Sequence, residues 1–399
     1  SWIVPHFEKM ADDNAWLLRN YVDAYSIFGD PFFKDVAQGI INFTRNELSH
    51  PDGGFHTSQD ADVTPDDEGG YFTWTDNDFK TLLTDEEYTV LSKYFLHERA
   101  IMHHDSSKRV LYIDKNPEDV AEMIGMNVEK VNQIIIQGRR KLLHARETRT
   151  KPFVDTAMYS SLNGMYISAF LRAYRVLRDS AIKDFALKSL ERILTINTDN
   201  NTVFHTPGIK GLLDDHIHLI DALVSAYEVT GKRPYLEKAD LFMVQTIELF
   251  WDNDEGGFFD TSEEVLGTRL KGIDDTPHPS ANSLAIMLLI KLAFIRDKQE
   301  YRALAEKALK LFSSWGQEAG VHGGYYFSAL DAFYNGLELT INASPGTELA
   351  ERALSTFRPY TAFAYGQEQE GNVTPCVRNV CYESIKEPDI LQKFLSTPI

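Results

Sequence analysis

The side chains best equipped for chemistry fall into four groups. His6 and Glu8 stand with Lys9, Asp12, Asp13 and Asn14 directly ahead of an apolar helical pattern carried by Leu17, Leu18, Tyr21, Val22, Tyr25 and Phe28. That helix needs one capping residue, not a cluster of ionisable groups. A nearby carboxylate can orient an imidazole or shift its pKa; the alternative is that the cluster caps helices and that Lys9 neutralises Glu8. Asp60 and Asp62 form the second group. Alternate residues of an extended segment point the same way, so these carboxylates would converge and raise one pKa or bind a cation, or else bond turn amides. The third group is Asp214-Asp215-His216-Ile217-His218. Asp214 and His218, four apart, share a helix face, and an N-cap accounts for one aspartate but not for two histidines. His216 and His218, two apart, diverge on a helix, so no metal site is expected from them. The fourth is His278-Pro279-Ser280-Ala281-Asn282, where Asn282 could bond a ligand hydroxyl and Ser280 is an ordinary cap. Arg269 and Lys271, alternating in the preceding loop, face an anionic ligand group or pair with Asp274 and Asp275.

The elements that must position these groups are mostly helices. Asn14 to Phe28 and Pro31 to Leu48 are split by Gly29-Asp30-Pro31, where Gly stops one helix and Pro starts the next. Pro51 to Thr75 reads as a hairpin-like insertion rich in Gly, aromatic and acidic residues. Short helices follow across Asp76 to Phe95, then one from Asn116-Pro117 and a long basic one from Asn127 to Arg149. From Met158 a plain alternation sets in: Met158 to Leu177, Ile182 to Ile196, Leu212 to Val229, Pro234 to Leu249, Ser283 to Ile295 and Glu300 to Trp315. Links within pairs are short. Links between pairs are long and carry Gly-Gly-aromatic runs at Gly256-Gly257-Phe258 and Gly323-Gly324-Tyr325. The repeat of roughly 50 to 70 residues is that of a helical-hairpin array. Long loops on one rim are where a ligand site would be built. The first helix of each pair, as in Leu284 to Ile290, is apolar on several faces and should be the inner one.

Composition narrows the function classes. With 43% hydrophobic residues in 399, the chain can bury a large core. A net charge of −19 disfavours nucleic acid and anionic membrane surfaces as partners, and no apolar run is long enough to span a bilayer. Cys376 and Cys381 are too few for a disulfide scaffold and match neither a C-x-x-C pair nor a zinc set, so a reducing, cytoplasmic setting is the simpler expectation. No P-loop, G-x-G-x-x-G, H-E-x-x-H or G-x-S-x-G occurs, and no cofactor is expected.

Trp2 to Ala15 resembles the motif W-x-V-P-H-F-E-K-M-L-Y-D-N-A of the spermatogenesis-associated protein 20 family and its bacterial and archaeal relatives, thioredoxin-like domains fused to a helical toroid. Weaker similarities follow in the family's order. They run through Phe55 to Asp62 (with Gln59 in place of a family Glu), Glu68 to Thr75, Asp155 to Gly164 (Leu162 in place of Trp), Asp215 (followed by His216 in place of Tyr), Arg269 with Lys271, and Pro279 to Ser283 (Ala281 in place of Gly). The family's C-terminal cysteine pair corresponds to Cys376 and Cys381. The resemblance implies an all-α fold, an (α/α) toroid of helical hairpins like the six-hairpin glycosidases and N-acylglucosamine 2-epimerases, with small β-hairpin insertions. It also implies that the first toroid helices and the thioredoxin-like domain belong upstream of Ser1. The expectation is one toroid domain over 1–399, with 51–75 an insertion and 337–399 a closing segment.

Sugar chemistry in such a toroid needs two carboxylates roughly 5 to 10 Å apart for hydrolysis, or histidines as proton donor and acceptor for epimerisation. The expected catalytic residues are His6, Glu8, Asp60, Asp62, Asp215 and His278, and the expected substrate-binding residues are Asn163, His218, Arg269, Asn282 and Trp74, the last as one of several rim aromatics suited to stacking on a sugar. The expected partner is a carbohydrate. The competing expectation is a non-catalytic scaffold working with a thioredoxin-like domain or partner chain.

Overall fold

A computed structural model describes residues 3–397 apart from 66, 266, 367–369 and 379. Trp2, the first residue of the opening motif, lies outside the described residues. The helices are α1 (Ala11–Phe28), α2 (Pro31–Glu47), α3 (Asp76–Leu82), α4 (Asp85–Phe95), α5 (Pro117–Ile124), α6 (Val128–Glu147), α7 (Ser160–Leu177) and α8 (Ser180–Ile196). They continue with α9 (Leu213–Thr230), α10 (Arg233–Phe250), α11 (Ala281–Arg296), α12 (Gln299–Leu311), α13 (Ser313–Ala319), α14 (Gly324–Asn335), α15 (Glu348–Ser355) and α16 (Pro388–Ser396). Where the sequence reads as one domain, the chain forms two compact units, Ser1–Lys9 with Ser58–Asp155, and Met10–Thr57 with Thr156–Ile399.

The smaller unit has its own reason to be compact. Helices α3 to α6 bury a separate core of Phe79, Leu91, Phe95, Val120, Val131 and Ile135. Their starts are set by local side chains. Thr75 with Asp78, and Thr84 with Glu87, form reciprocal capping boxes, and Asn116 and Asn127 cap α5 and α6.

The larger unit contains the hairpin array. Helix α1 pairs with α2, α7 with α8, α9 with α10 and α11 with α12. Each first helix is closed by a residue in the left-handed region, Gly29, Arg178, Gly231 or Asp297, whose N–H returns to a carbonyl of the last turn. The first helices are inner ones. Helices α7, α9 and α11 are buried on nearly every face, whereas α2 and α12 bury one stripe. Inner helices α1, α7, α9, α11 and α14 line one cavity, and Trp16 of α1 meets Tyr325 of α14 edge to face at 5.8 Å across it. This is the toroid of helical hairpins that the sequence implies. One element departs from that reading: Gly323-Gly324-Tyr325 is not a loop but the entry to α14. Its two glycines weaken the helical signal, while Tyr326 and Ala329 bury against α11 and α12 and hold the helix in place.

The loops between pairs are pinned by a repeated device. Gly53-Gly54 and Gly256-Gly257 all adopt positive φ, turning Phe55 and Phe258 inward. Phe55 stacks on Tyr166 at 4.5 Å, and Phe258 packs on Trp251 at 5.0 Å. The closing segment is a mixed four-stranded sheet: Leu337–Asn342 runs parallel to Thr361–Tyr365 and antiparallel to Asn372–Val377, which pairs with Val380–Cys381. Helices α15 and α16 cover its apolar face. Cys376 and Cys381 lie opposite each other in that register and form a disulfide, a pairing the reducing-compartment expectation did not include. Among the described residues no helix is long and apolar enough to cross a membrane.

Candidate active site

The start of α9 gives two adjacent aspartates opposite fates. Asp215 turns back into the fold. Its carboxylate accepts the backbone N–H of Leu212 at 2.9 Å and that of Ser161 at 3.0 Å, and pairs with His205 Nδ1 at 3.0 Å. Fully buried and fully bonded, it ties α9 to the first turn of α7, so the structure gives the residue expected to be catalytic a positioning task. His216 is likewise enclosed. It meets Thr246 Oγ1 at 3.1 Å, and burial pushes its pKa down to about 4.

Asp214 faces the other way, and it does so in company. His218, one turn on, brings Nε2 to 3.7 Å from Asp214 Oδ1. The ring of His278, from the loop before α11, stands nearly perpendicular to that of His218 at 5.8 Å. One ligating atom from each of Asp214, His218 and His278 lies within 4.8 Å of the others. His278 Nδ1 donates to the Pro279 carbonyl at 3.1 Å, so in the neutral ring Nε2 carries the free lone pair. Both nitrogens of His218 and Oδ1 of Asp214 are buried without a hydrogen-bond partner, as is Nε1 of the adjoining Trp16. Buried polar atoms normally have partners, and this concentration of exceptions makes the cluster the candidate site.

Electrostatics sharpen the roles. Burial, helped by the neighbouring His278, pushes the His218 pKa down to about 3, which keeps the ring neutral. Burial pushes the Asp214 carboxyl up, the charge of Asp215 adding to the effect. Asp260, whose carbonyl accepts the Leu213 N–H at the start of α9, is raised to about 6 by burial and by Asp214. The cluster is reached through Asp214 and His278, both partly exposed. Chemically it offers a neutral N–H donor, an imidazole base and carboxyls of raised pKa. The same three side chains could also hold a divalent cation, with one carboxylate and two imidazoles as ligands.

The other expected residues take different places. Asn163 and Asn282 are wholly buried and already engaged. The Asn163 amide accepts the Phe55 N–H at 2.7 Å and donates to the Phe55 carbonyl at 3.0 Å, and Asn282 does the same to Phe258 at 2.8 and 2.9 Å. These amides clamp the glycine-aromatic loops, which leaves no group free for a sugar hydroxyl. Arg269 donates to the Thr261 and Leu249 carbonyls and lies over Phe259; Lys271 pairs with Asp252 and Glu255. In the smaller unit Trp74 is buried beneath the Arg149 guanidinium, 4.0 Å from its ring, with no open face for stacking. His6 is exposed there between Glu8 at 3.3 Å and Glu68 at 3.6 Å. Asp60 is exposed, and Asp62 has a buried Oδ1 without a partner.

Sequence reasoning singled out His218 and His278 but left Asp214 outside the catalytic set and missed Asp260 and Trp16. The i, i+4 spacing of Asp214 and His218 was the available signal for the first. Asp260 follows Gly256-Gly257-Phe258-Phe259, the same kind of loop that the inner-helix asparagines hold.

Fold and site together define a helical-hairpin toroid with an imidazole and carboxylate cluster at the N-terminal end of one inner helix. The chain is 32% identical to human spermatogenesis-associated protein 20 over 331 residues, 73% of its own length and 42% of that protein. It is thereby a homologue of spermatogenesis-associated protein 20, and it spans less than half the length of the curated relatives it matches. Among solved structures it is similar to a sugar epimerase from a ruminal bacterium, at 12% identity and a TM-score of 0.46 over 77% of this chain and 61% of that one. It is also similar to a GH76 alpha-mannanase of Bacteroides thetaiotaomicron, at 10% identity and a TM-score of 0.48 over 97% and 85%. No family model matches.

Proposed function

We propose that this chain is a carbohydrate-active domain that moves a proton next to a sugar carbonyl, as an aldose-ketose isomerase or an epimerase does. The observation that carries this reading is the convergence of Asp214, His218 and His278, with both nitrogens of the buried His218 unpaired. In this mechanism His218, neutral at working pH, donates an N–H to the carbonyl oxygen. His278 Nε2 takes the proton from the adjacent carbon, and the C–H electrons pass into an enediolate whose oxygen His218 stabilises. Return of the proton to the neighbouring carbon, with the hydroxyl proton passing to the former carbonyl oxygen as the new carbonyl forms, gives the isomer; its return to the same carbon after the enediolate turns its other face to His278 gives the epimer.

The test is hydrogen exchange. The protein is incubated in D2O with glucose, mannose, fructose, N-acetylglucosamine and cellobiose, and loss of the proton signal on the carbon next to the carbonyl, C2 of the aldoses and C1 of fructose, is followed by NMR. Exchange into at least one sugar, abolished by His278→Gln, is the expected result. A folded protein that exchanges none of them ends the proposal. A second reading, a non-catalytic scaffold serving a thioredoxin-like domain, draws support from the family positions altered at Gln59, Leu162, His216 and Ala281. It would be selected by a stable complex with such a domain together with no sugar-dependent rise in melting temperature. A ligand at a hundred times its Kd should otherwise stabilise the fold by about 2.7 kcal/mol.

A further inference from the structure

The cavity among the inner helices carries a charge opposite to that of the chain. It encloses about 280 Å³ between α1, α7, α9, α11, α14 and the segment 354–363, near the lower end of the roughly 300–1,000 Å³ typical of small-molecule sites. In a protein of net charge −19, its lining presents Arg19, Arg172, Arg175 and Lys291. Two of these have carboxylates of their own: Arg19 meets Asp221 at 3.0 Å, and Arg172 pairs with Asp23. Arg175 and Lys291 must share one. Glu228, buried behind the wall, accepts from Arg175 at 3.3 Å through Oε2 and from Lys291 at 3.2 Å through Oε1. Four cations therefore face three carboxylates, and a further cation, Arg358, lines the same cavity.

A buried charge without a full counterion is costly. Here the surplus sits beside open space, where a ligand can neutralise it. The donors suit an oxyanion. Arg175 is held in place by its bond to the Leu354 carbonyl at 3.0 Å and by the Phe363 ring beneath it at 4.6 Å, and arginine forks match phosphate and carboxylate geometry. We propose that this cavity is a binding site for a small organic anion bearing a phosphate or carboxylate group, held between Arg175 and Lys291. The cavity shares its Trp16 wall with the Asp214, His218 and His278 cluster, but Arg175 and Lys291 lie toward the C-terminal ends of α7 and α11, and the proposal does not depend on the activity proposed for that cluster.

The experiment measures melting temperature and calorimetric affinity with inorganic phosphate, glucose 6-phosphate and citrate, against sodium chloride at matched ionic strength and against glucose. Phosphate and glucose 6-phosphate distinguish a bare ion from a sugar-borne phosphate, and citrate reports carboxylate recognition. A rise with at least one anion over both controls is expected, together with at least a tenfold loss of affinity in Lys291→Met. That variant leaves Arg175 and Glu228 as a matched pair, so its unliganded melting temperature should stay near wild type. Should it fail to fold, Ser328→Asp, which adds a carboxylate to the cavity wall, should weaken binding equally. No rise over chloride, an equal rise with glucose, or unchanged affinity in a folded variant of either kind would overturn the proposal.

Discussion

Replacing His218 by leucine should make the protein more stable and remove the proposed chemistry. The ring is fully buried, packs edge-on to Trp16, and has no hydrogen-bond partner on either nitrogen. An unsatisfied buried polar group costs about 1–3 kcal/mol, and leucine is close to histidine in volume, so little overpacking offsets the gain. At pH 7 His218→Leu should therefore be more stable by about 1–2 kcal/mol. The pH dependence provides a second, independent signature. The folded-state pKa of His218 is depressed to about 3 from an ordinary 6.5. Between those values the unfolded chain holds a proton that the folded one rejects, so stability falls as pH drops through 6.5 and continues to fall toward 3. From pH 7 to pH 5 this single residue should cost wild type about 2 kcal/mol. His216, depressed to about 4 for the same reason, adds its own loss to both proteins and cancels in the comparison. Urea titrations at the two pH values measure this directly: the leucine variant should lose about 2 kcal/mol less than wild type, and its deuterium exchange should vanish. Equal losses in the two proteins, or a variant less stable than wild type at pH 7, would show that His218 is not an unpartnered neutral ring and would remove the basis of the proposed mechanism.

Two more outcomes follow from the elements around it. Asn163→Ala strips partners from both the N–H and the carbonyl of the buried Phe55, and Asn282→Ala does so for Phe258. Each should lower stability in urea by about 3 kcal/mol, with or without sugar present. A sugar-binding asparagine would instead leave stability unchanged and lower affinity. Gly164→Ala places a methyl 2.5 Å from the backbone carbon and oxygen of His218. It should push α7 off α9 and cost about 1–3 kcal/mol along with exchange activity, and a variant with wild-type stability would contradict the close approach of these helices.

The hairpin array was legible because its signals are local. Apolar periodicity marks inner and outer helices, and Gly29 and Gly231 end two inner helices in the left-handed conformation. Arg178 and Asp297 end two more in that conformation without a glycine to announce it. The second compact unit was not legible, because its helices look like any others until Phe79, Leu91, Val120 and Ile135 are seen to bury together. The candidate site was legible only in part. The spacing of Asp214 and His218 can be read off one helix, but the arrival of His278 beside them is a tertiary fact. Trp74 and Asn163 misled for a common reason. Aromatic rings in glycine-rich loops and amides at the start of inner helices suit ligands in type, yet here the surrounding backbone and Arg149 consume them.

The two adjacent aspartates bear on why the proposal is isomerisation or epimerisation and not hydrolysis. Hydrolysis by paired carboxyls requires two that can meet substrate, and Asp215 is excluded because its oxygens already serve Leu212, Ser161 and His205. That leaves Asp214 with Asp260, whose pKa near 6 would suit a general acid. What such a pair does not explain is His218. A ring kept neutral down to about pH 3, with two unpaired nitrogens, adds nothing to the protonation of a glycosidic oxygen that Asp260 could not do alone. It does suit an oxygen that gains negative charge while a proton leaves the neighbouring carbon, where a neutral N–H donor stabilises the enediolate without first protonating the carbonyl. The presence of His278 Nε2, free to accept that proton, completes the set that isomerisation or epimerisation needs and hydrolysis does not.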